Sequence, residues 1–108
     1  MNQPQQPRKI VCLCGSTRDY ENFVEANLQE TLAGHIVLSV GVFGHRAEEV
    51  HGRQIDLESH KGPLDELHHD KIRLADEVLI VGRVGSSTQK EIELAGELGK
   101  PVRYFSAE

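Results

Sequence analysis

Residues 10–14 read Ile-Val-Cys-Leu-Cys, apolar at every position. Successive side chains of a strand point to opposite faces, so a strand of this kind is greasy on both sides and needs cover on both. That requirement disfavours a sheet with one wet face and points to a parallel sheet held between helical layers. Residues 77–81, Glu-Val-Leu-Ile-Val, show a similar pattern near the other end of the chain.

Helical and extended spacings alternate around these two runs. After the turn Gly-Ser-Thr-Arg-Asp (15–19), Tyr20, Phe23, Val24, Leu28 and Leu32 keep helical spacing as far as Gly34, which supplies a stop. Residues 35–43, HIVLSVGVF, read as a second strand. Residues 44–63 are polar and carry no periodicity, which predicts a long binding loop or lid. A helix is expected over 64–76, and another from the turn GRVGSS to a stop at Gly99 and Pro101. Residues 102–105, VRYF, make a short last strand. The pattern predicts a small doubly wound α/β domain of the flavodoxin or Rossmann kind. Its three α/β/α layers enclose about four parallel strands in the order 2-1-3-4. Residues 1–8 have no apolar core and read as a disordered tail, leaving 9–108 as a single domain.

A formal net charge of −5 argues against a nucleic-acid polymer or an anionic membrane surface as partner, because both reward excess Lys and Arg. No run approaches the roughly 18 apolar residues of a membrane span. Cys12 and Cys14, two apart on one strand, point the same way and do not easily bridge. They read as reduced core residues, as expected of a cytoplasmic protein. His45, His51, His60, His68 and His69 fall close together, but no pair has HExxH or CxxC-type ligand spacing. Neither a metal nor any other cofactor is expected.

In a sheet of this order, ligands bind beyond the carboxyl ends of the strands at the switch point. The turns there are 15–18 (GSTR) and 85–88 (GSST), each rich in Gly and hydroxyls and each feeding a helix start, where free N–H groups suit an anion. Past the second turn stands Glu91. At about 100° per residue, Glu93 and Glu97 share a polar side, whereas Glu91 points between Ala95 and Leu98. Two explanations stay open for it: a capping box with Thr88, or a functional carboxylate at the crevice. Asp70, at the edge of its helix's apolar stripe, has an ordinary partner in Arg73. Lys71 lies within that stripe and has no assigned role.

Taken together, CGSTR, LHHDKIRLADEVLIV and STQKEIELAGELGKPV resemble the nucleoside 2-deoxyribosyltransferase superfamily over most of residues 9–105. That superfamily includes base-exchanging transferases and N-glycosidases that hydrolyse nucleoside 5′-monophosphates. The resemblance implies that Glu91, the Glu of T-x-x-E-I, is the catalytic nucleophile, and that Asp70 engages sugar hydroxyls or assists the leaving base. It places Gly15, Ser16, Thr17 and Arg18 at the 5′-phosphate, with Ser87 and Thr88 closing the phosphate or sugar site. An H-R pair after the second strand of a cytidylate-cleaving branch matches His45 and Arg46. Members generally continue past the fourth strand, and a neighbouring subunit's tail can complete the site, which implies a homodimer or higher homo-oligomer. Transferases of the family carry an Asp six residues before the nucleophile, where this chain has Gly85, and the family's usual Gly two after it is Glu93 here. The Gly85 departure weighs toward hydrolysis. The expected partner is a small nucleotide or nucleoside, and the competing expectation is a non-catalytic nucleotide sensor built on the same crevice.

Overall fold

The computed structural model of the protein describes residues 7–106. Residues 1–6 of the expected tail, and 107–108 at the other end, lie outside the described residues. Arg8, counted in that tail, donates a hydrogen bond to the Gly34 carbonyl at 3.3 Å. Strands β1 (Ile10–Cys14), β2 (Ile36–Leu38), β3 (Glu77–Ile80) and β4 (Val102–Tyr104) form one sheet in the order β2-β1-β3-β4, with every neighbouring pair parallel. This is the order that the alternation of strands and helices predicts. Cys12 pairs with Leu38 on one side and Val78 on the other, which makes β1 an interior strand.

Among the described residues four α-helices accompany the sheet: α1 (Tyr20–Leu32), the short α2 (Ala47–His51), α3 (Lys61–Leu74) and α4 (Ser86–Glu97). Alternation along the strands sorts the core into two halves. Val11, Leu13, Leu79 and Val81 pack with Phe23 and Ala26 of α1 on one face. Cys12, Cys14, Val78 and Ile80 pack with Ile72 of α3 and Ala95 of α4 on the other. Both central strands are thus buried on both sides, as their unbroken apolar runs require. No helix among the described residues is long and apolar enough to cross a membrane.

Several boundaries differ from the sequence expectation, each for a local reason. The second strand was expected to reach residue 43 but pairs with β1 only as far as Leu38. Beyond it, the Lys71 ammonium takes the Ser39 carbonyl at 2.7 Å, and Val40 and Phe43 pack onto the α1 face as irregular backbone. Residues 44–63 are not structureless. They contain single 3-10 turns at Gly44–Arg46 and Glu58–His60 on either side of α2. α3 begins at Lys61 rather than 64, which sets Pro63 in its first turn, where no intrahelical N–H bond is lost.

Candidate functional site

The two turns at the carboxyl ends of β1 and β3 lie side by side and are clasped together. Asp19, which precedes α1, accepts the Arg83 backbone N–H at 2.8 Å through Oδ2 and the Arg83 guanidinium at 3.0 and 3.2 Å through Oδ1. These contacts, the backbone bond first, hold the Asp19 pKa below its ordinary value. The Ser16 N–H adds a bond to the Arg83 carbonyl at 3.3 Å. Gly15 is required where the first turn leaves the sheet, because a Cβ there would collide with the Val81 carbonyl. Gly82 faces the Asp19 carboxylate with the same lack of room, at φ +81°.

Beside this clasp opens a cleft of about 720 Å³. One wall is the first turn, Gly15 to Arg18, and the start of α4, Gly85 to Thr88. The opposite wall is the irregular chain from Val40 to His45 with Leu57 and Glu58, and α3 contributes Asp65, His68 and Lys71. The cleft exists because β2 stops early. Once the chain leaves β1 after Leu38, the carboxyl end of β1 has no strand on that side. Arg18 is exposed at the rim, and its backbone N–H is tied to the Ser16 hydroxyl at 3.2 Å.

Glu91 reaches the cleft from the second turn of α4, half-buried. The helix starts earlier than the capping-box explanation needs. Gly85 is its N-cap, with no side-chain cap bond, and Thr88 is a buried residue of the first turn. Burial is the main influence on Glu91 and raises its pKa, while the charge of His68 and a hydrogen bond with Cys14 offset part of the rise.

Beneath Glu91 lie Cys12 and Cys14, fully buried and not disulfide-bonded, with His68 of α3 also buried. The His68 Nε2 is 3.7 Å from the Cys12 sulfur and 3.4 Å from that of Cys14. The Cys12 thiol is pulled down to about 5, chiefly by its hydrogen bond with Cys14 and then, against burial, by His68. The same bond, burial, and the charges of Cys12 and Glu91 push Cys14 well up. Burial works against protonated His68, but the bond to Cys12 and the nearby negative charge outweigh it and raise its pKa.

The residues expected at the crevice divide clearly. Gly15, Ser16, Thr17, Arg18, His45, Ser87, Thr88 and Glu91 all line the one cleft. Asp70 does not: it is exposed and pairs with Arg73 at 2.8 Å, the ordinary partnership its spacing allows. Arg46 also points elsewhere, bonding Glu21 and Glu49 at 2.8 Å each and lying over the Tyr20 ring. The sequence reading did not single out Asp65, His68 or the Asp19–Arg83 clasp. Asp65 stands five residues before Asp70 and lines the cleft beside Lys61, whose ammonium meets it at 3.1 Å. His68 repeats the helical spacing of Ile72, four residues on, which was a usable signal that it faces the sheet. Comparison of the chain with protein-family models, with curated proteins and with solved structures finds no match.

Proposed function

We propose that the chain cleaves the N-glycosidic bond of a (deoxy)nucleoside 5′-monophosphate, with Glu91 as nucleophile. The observation that carries this reading is that Glu91 looks into the same cleft as two Gly- and hydroxyl-rich turns, each leading into a helix. Such turns suit a phosphate through backbone N–H groups, hydroxyls and the Arg18 guanidinium. The sugar then lies between the phosphate and Glu91. The carboxylate attacks C1′ as the C1′–N bond breaks, the base leaves with that electron pair and takes up a proton, and a glycosyl ester forms. Water attacks the ester at C1′ from the vacated side, releasing the sugar phosphate and restoring the carboxylate with net retention. Base exchange follows if a second base replaces the water. Asp65, in the cleft where Asp70 is not, takes the role of orienting sugar hydroxyls. The ionised form of Glu91 is required for attack, and burial, which raises its pKa, works against that form.

Self-association belongs to the same proposal. Leu67 and Leu74, seven residues apart on α3, are both exposed and support a homodimer, which sedimentation would detect.

The decisive variant is Glu91→Gln, which keeps shape and removes the nucleophile. Incubated with a panel of nucleoside monophosphates, the native protein is expected to release free base, read by chromatography. The variant is expected to bind the same nucleotide and release none. Normal turnover by the variant refutes the mechanism. Binding without base release by the native protein makes the cleft a nucleotide sensor instead.

A further inference from the structure

Cys12, Cys14 and His68 form a constellation that the glycosidase reading does not use. Two residues apart on β1, the cysteines project from the same face of the sheet. α3 crosses that face and is keyed to it by Ile72, fully buried, so that His68 one turn earlier comes down onto both sulfurs. The two sulfurs and a ring nitrogen all lie within 4.8 Å of one another.

The two sulfur–nitrogen distances match a metal-binding tetrahedron. With Zn–S about 2.3 Å and Zn–N about 2.1 Å, tetrahedral angles separate sulfur from nitrogen by about 3.6 Å and sulfur from sulfur by about 3.8 Å. The structure has sulfur–nitrogen separations of 3.4 and 3.7 Å. Two thiolates neutralise a divalent ion, which makes the complex tolerable in a buried place where an isolated charge is not. One side stays approachable, because His68 lines the cleft while both cysteines are closed off. The fourth position therefore opens toward the cleft and Glu91, as in sites with three protein ligands and one exchangeable position.

We infer that Cys12, Cys14 and His68 form a three-ligand site for Zn2+ at the floor of the cleft, with the fourth coordination position facing the cavity. This runs against the expectation from spacing, which looked for ligand pairs such as CxxC and HExxH. A C-x-C pair on a strand delivers both sulfurs to one side, and the third ligand arrives from a helix 54 residues further on than Cys14. The inference does not rest on the glycosidase reading, since metal content is measured without turnover.

The test uses the whole chain, reduced with a phosphine and freed of metal by a chelator. Cobalt(II) is then titrated in and followed by absorption. The expected result is saturation at one equivalent, with thiolate-to-cobalt charge-transfer bands in the near ultraviolet and strong visible bands of tetrahedral cobalt. Zn2+ should bleach both sets of bands and raise the thermal midpoint of the native protein. Cys14→Ser should lose most of the charge-transfer intensity, and His68→Gln should lose the tetrahedral visible bands. If either variant fails to fold by circular dichroism, the titration of the native protein decides alone. No charge-transfer band in folded, reduced native protein overturns the site, as does a spectrum unchanged in both variants.

Discussion

Removing the Asp19 carboxylate tests whether the clasp between the two turns is held by a backbone bond or by a surface ion pair. In Asp19→Ala the Arg83 N–H loses an acceptor at 2.8 Å and the Arg83 guanidinium loses its partner at 3.0 Å. The two losses differ in weight. Side-chain exposure is 68% for Arg83 and 13% for Asp19, so the guanidinium part is a solvent-screened pair worth less than about 1 kcal/mol. A hydrogen bond from a backbone N–H to a carboxylate contributes about 1.5–3 kcal/mol, and Asp19 is only partly exposed. Asp19→Ala is therefore expected to destabilise by about 2 kcal/mol, on the order of 10 °C in melting midpoint for a domain of this size. Arg83→Ala, which keeps the backbone N–H, should cost less than about 1 kcal/mol. Urea unfolding of both variants at neutral pH, at equal m-values, gives the comparison. Equal losses would refute the assignment and make the clasp an ordinary ion pair. Because the folded pKa of Asp19 is depressed, its contribution is present above the unfolded value near 3.8 and disappears as pH falls through the folded one.

Gly15→Ala should destabilise by on the order of 3 kcal/mol, since the added methyl meets the carbonyl of Val81 and the sheet backbone cannot yield; a urea-midpoint change under about 1 kcal/mol contradicts this. Arg18→Ala should weaken nucleoside monophosphate binding about 10- to 100-fold by calorimetry, the equivalent of about 1.5–3 kcal/mol, and leave the nucleoside unaffected; equal losses for both remove the phosphate assignment. Arg103 joins Glu30 at 3.0 Å to Glu77 at 2.7 Å, and despite burial, which raises them, both carboxyl groups have lowered pKa values. Their stabilisation is present above the usual glutamate range and lost as pH falls through the folded values. With the Arg103 side chain 42% exposed, solvent screens both pairs, so Arg103→Met should cost about 1 kcal/mol at pH about 7, with the deficit shrinking on acidification; a deficit independent of pH would show that packing, not charge, was lost.

The sheet was legible in the chain because its central strands have no alternative use. A run such as Val78-Leu79-Ile80-Val81 has no polar face to present to water, so its burial on both sides follows from composition alone. The turns were legible for a similar reason, since Gly15 and the hydroxyls after it mark a backbone that must pass close to something. Glu91 stood out because it interrupts an apolar face. Asp70 and Asp65 show where the sequence falls short. Both sit near the edge of the same stripe, and only the true start and tilt of α3 decide that the earlier one enters the cleft while the later one meets Arg73. The end of β2 was not legible either. Val40 and Phe43 are half-buried on the α1 face without strand pairing, so their hydrophobicity imitates a continuation of the strand. The thiol pair lies inward and unbridged, as read, but although its spacing with Ile72 turned His68 toward the sheet, its meeting with both sulfurs was not legible without knowing which helix lies over β1.

The two walls of the cleft are built to different tolerances. One consists of short turns leaving the sheet, so any change in length there would disturb the strands themselves. The other, from Val40 to Glu58, is irregular chain and single helical turns, held by the Arg46–Glu21 pair and the edge-on contact of Phe43 with Tyr20 at 4.8 Å. Insertions and exchanges in that wall leave the ladder of β1 and β3 untouched. The division gives the scaffold evolvability: descendants can change what they accept on the outer side while inheriting the anchoring side unaltered.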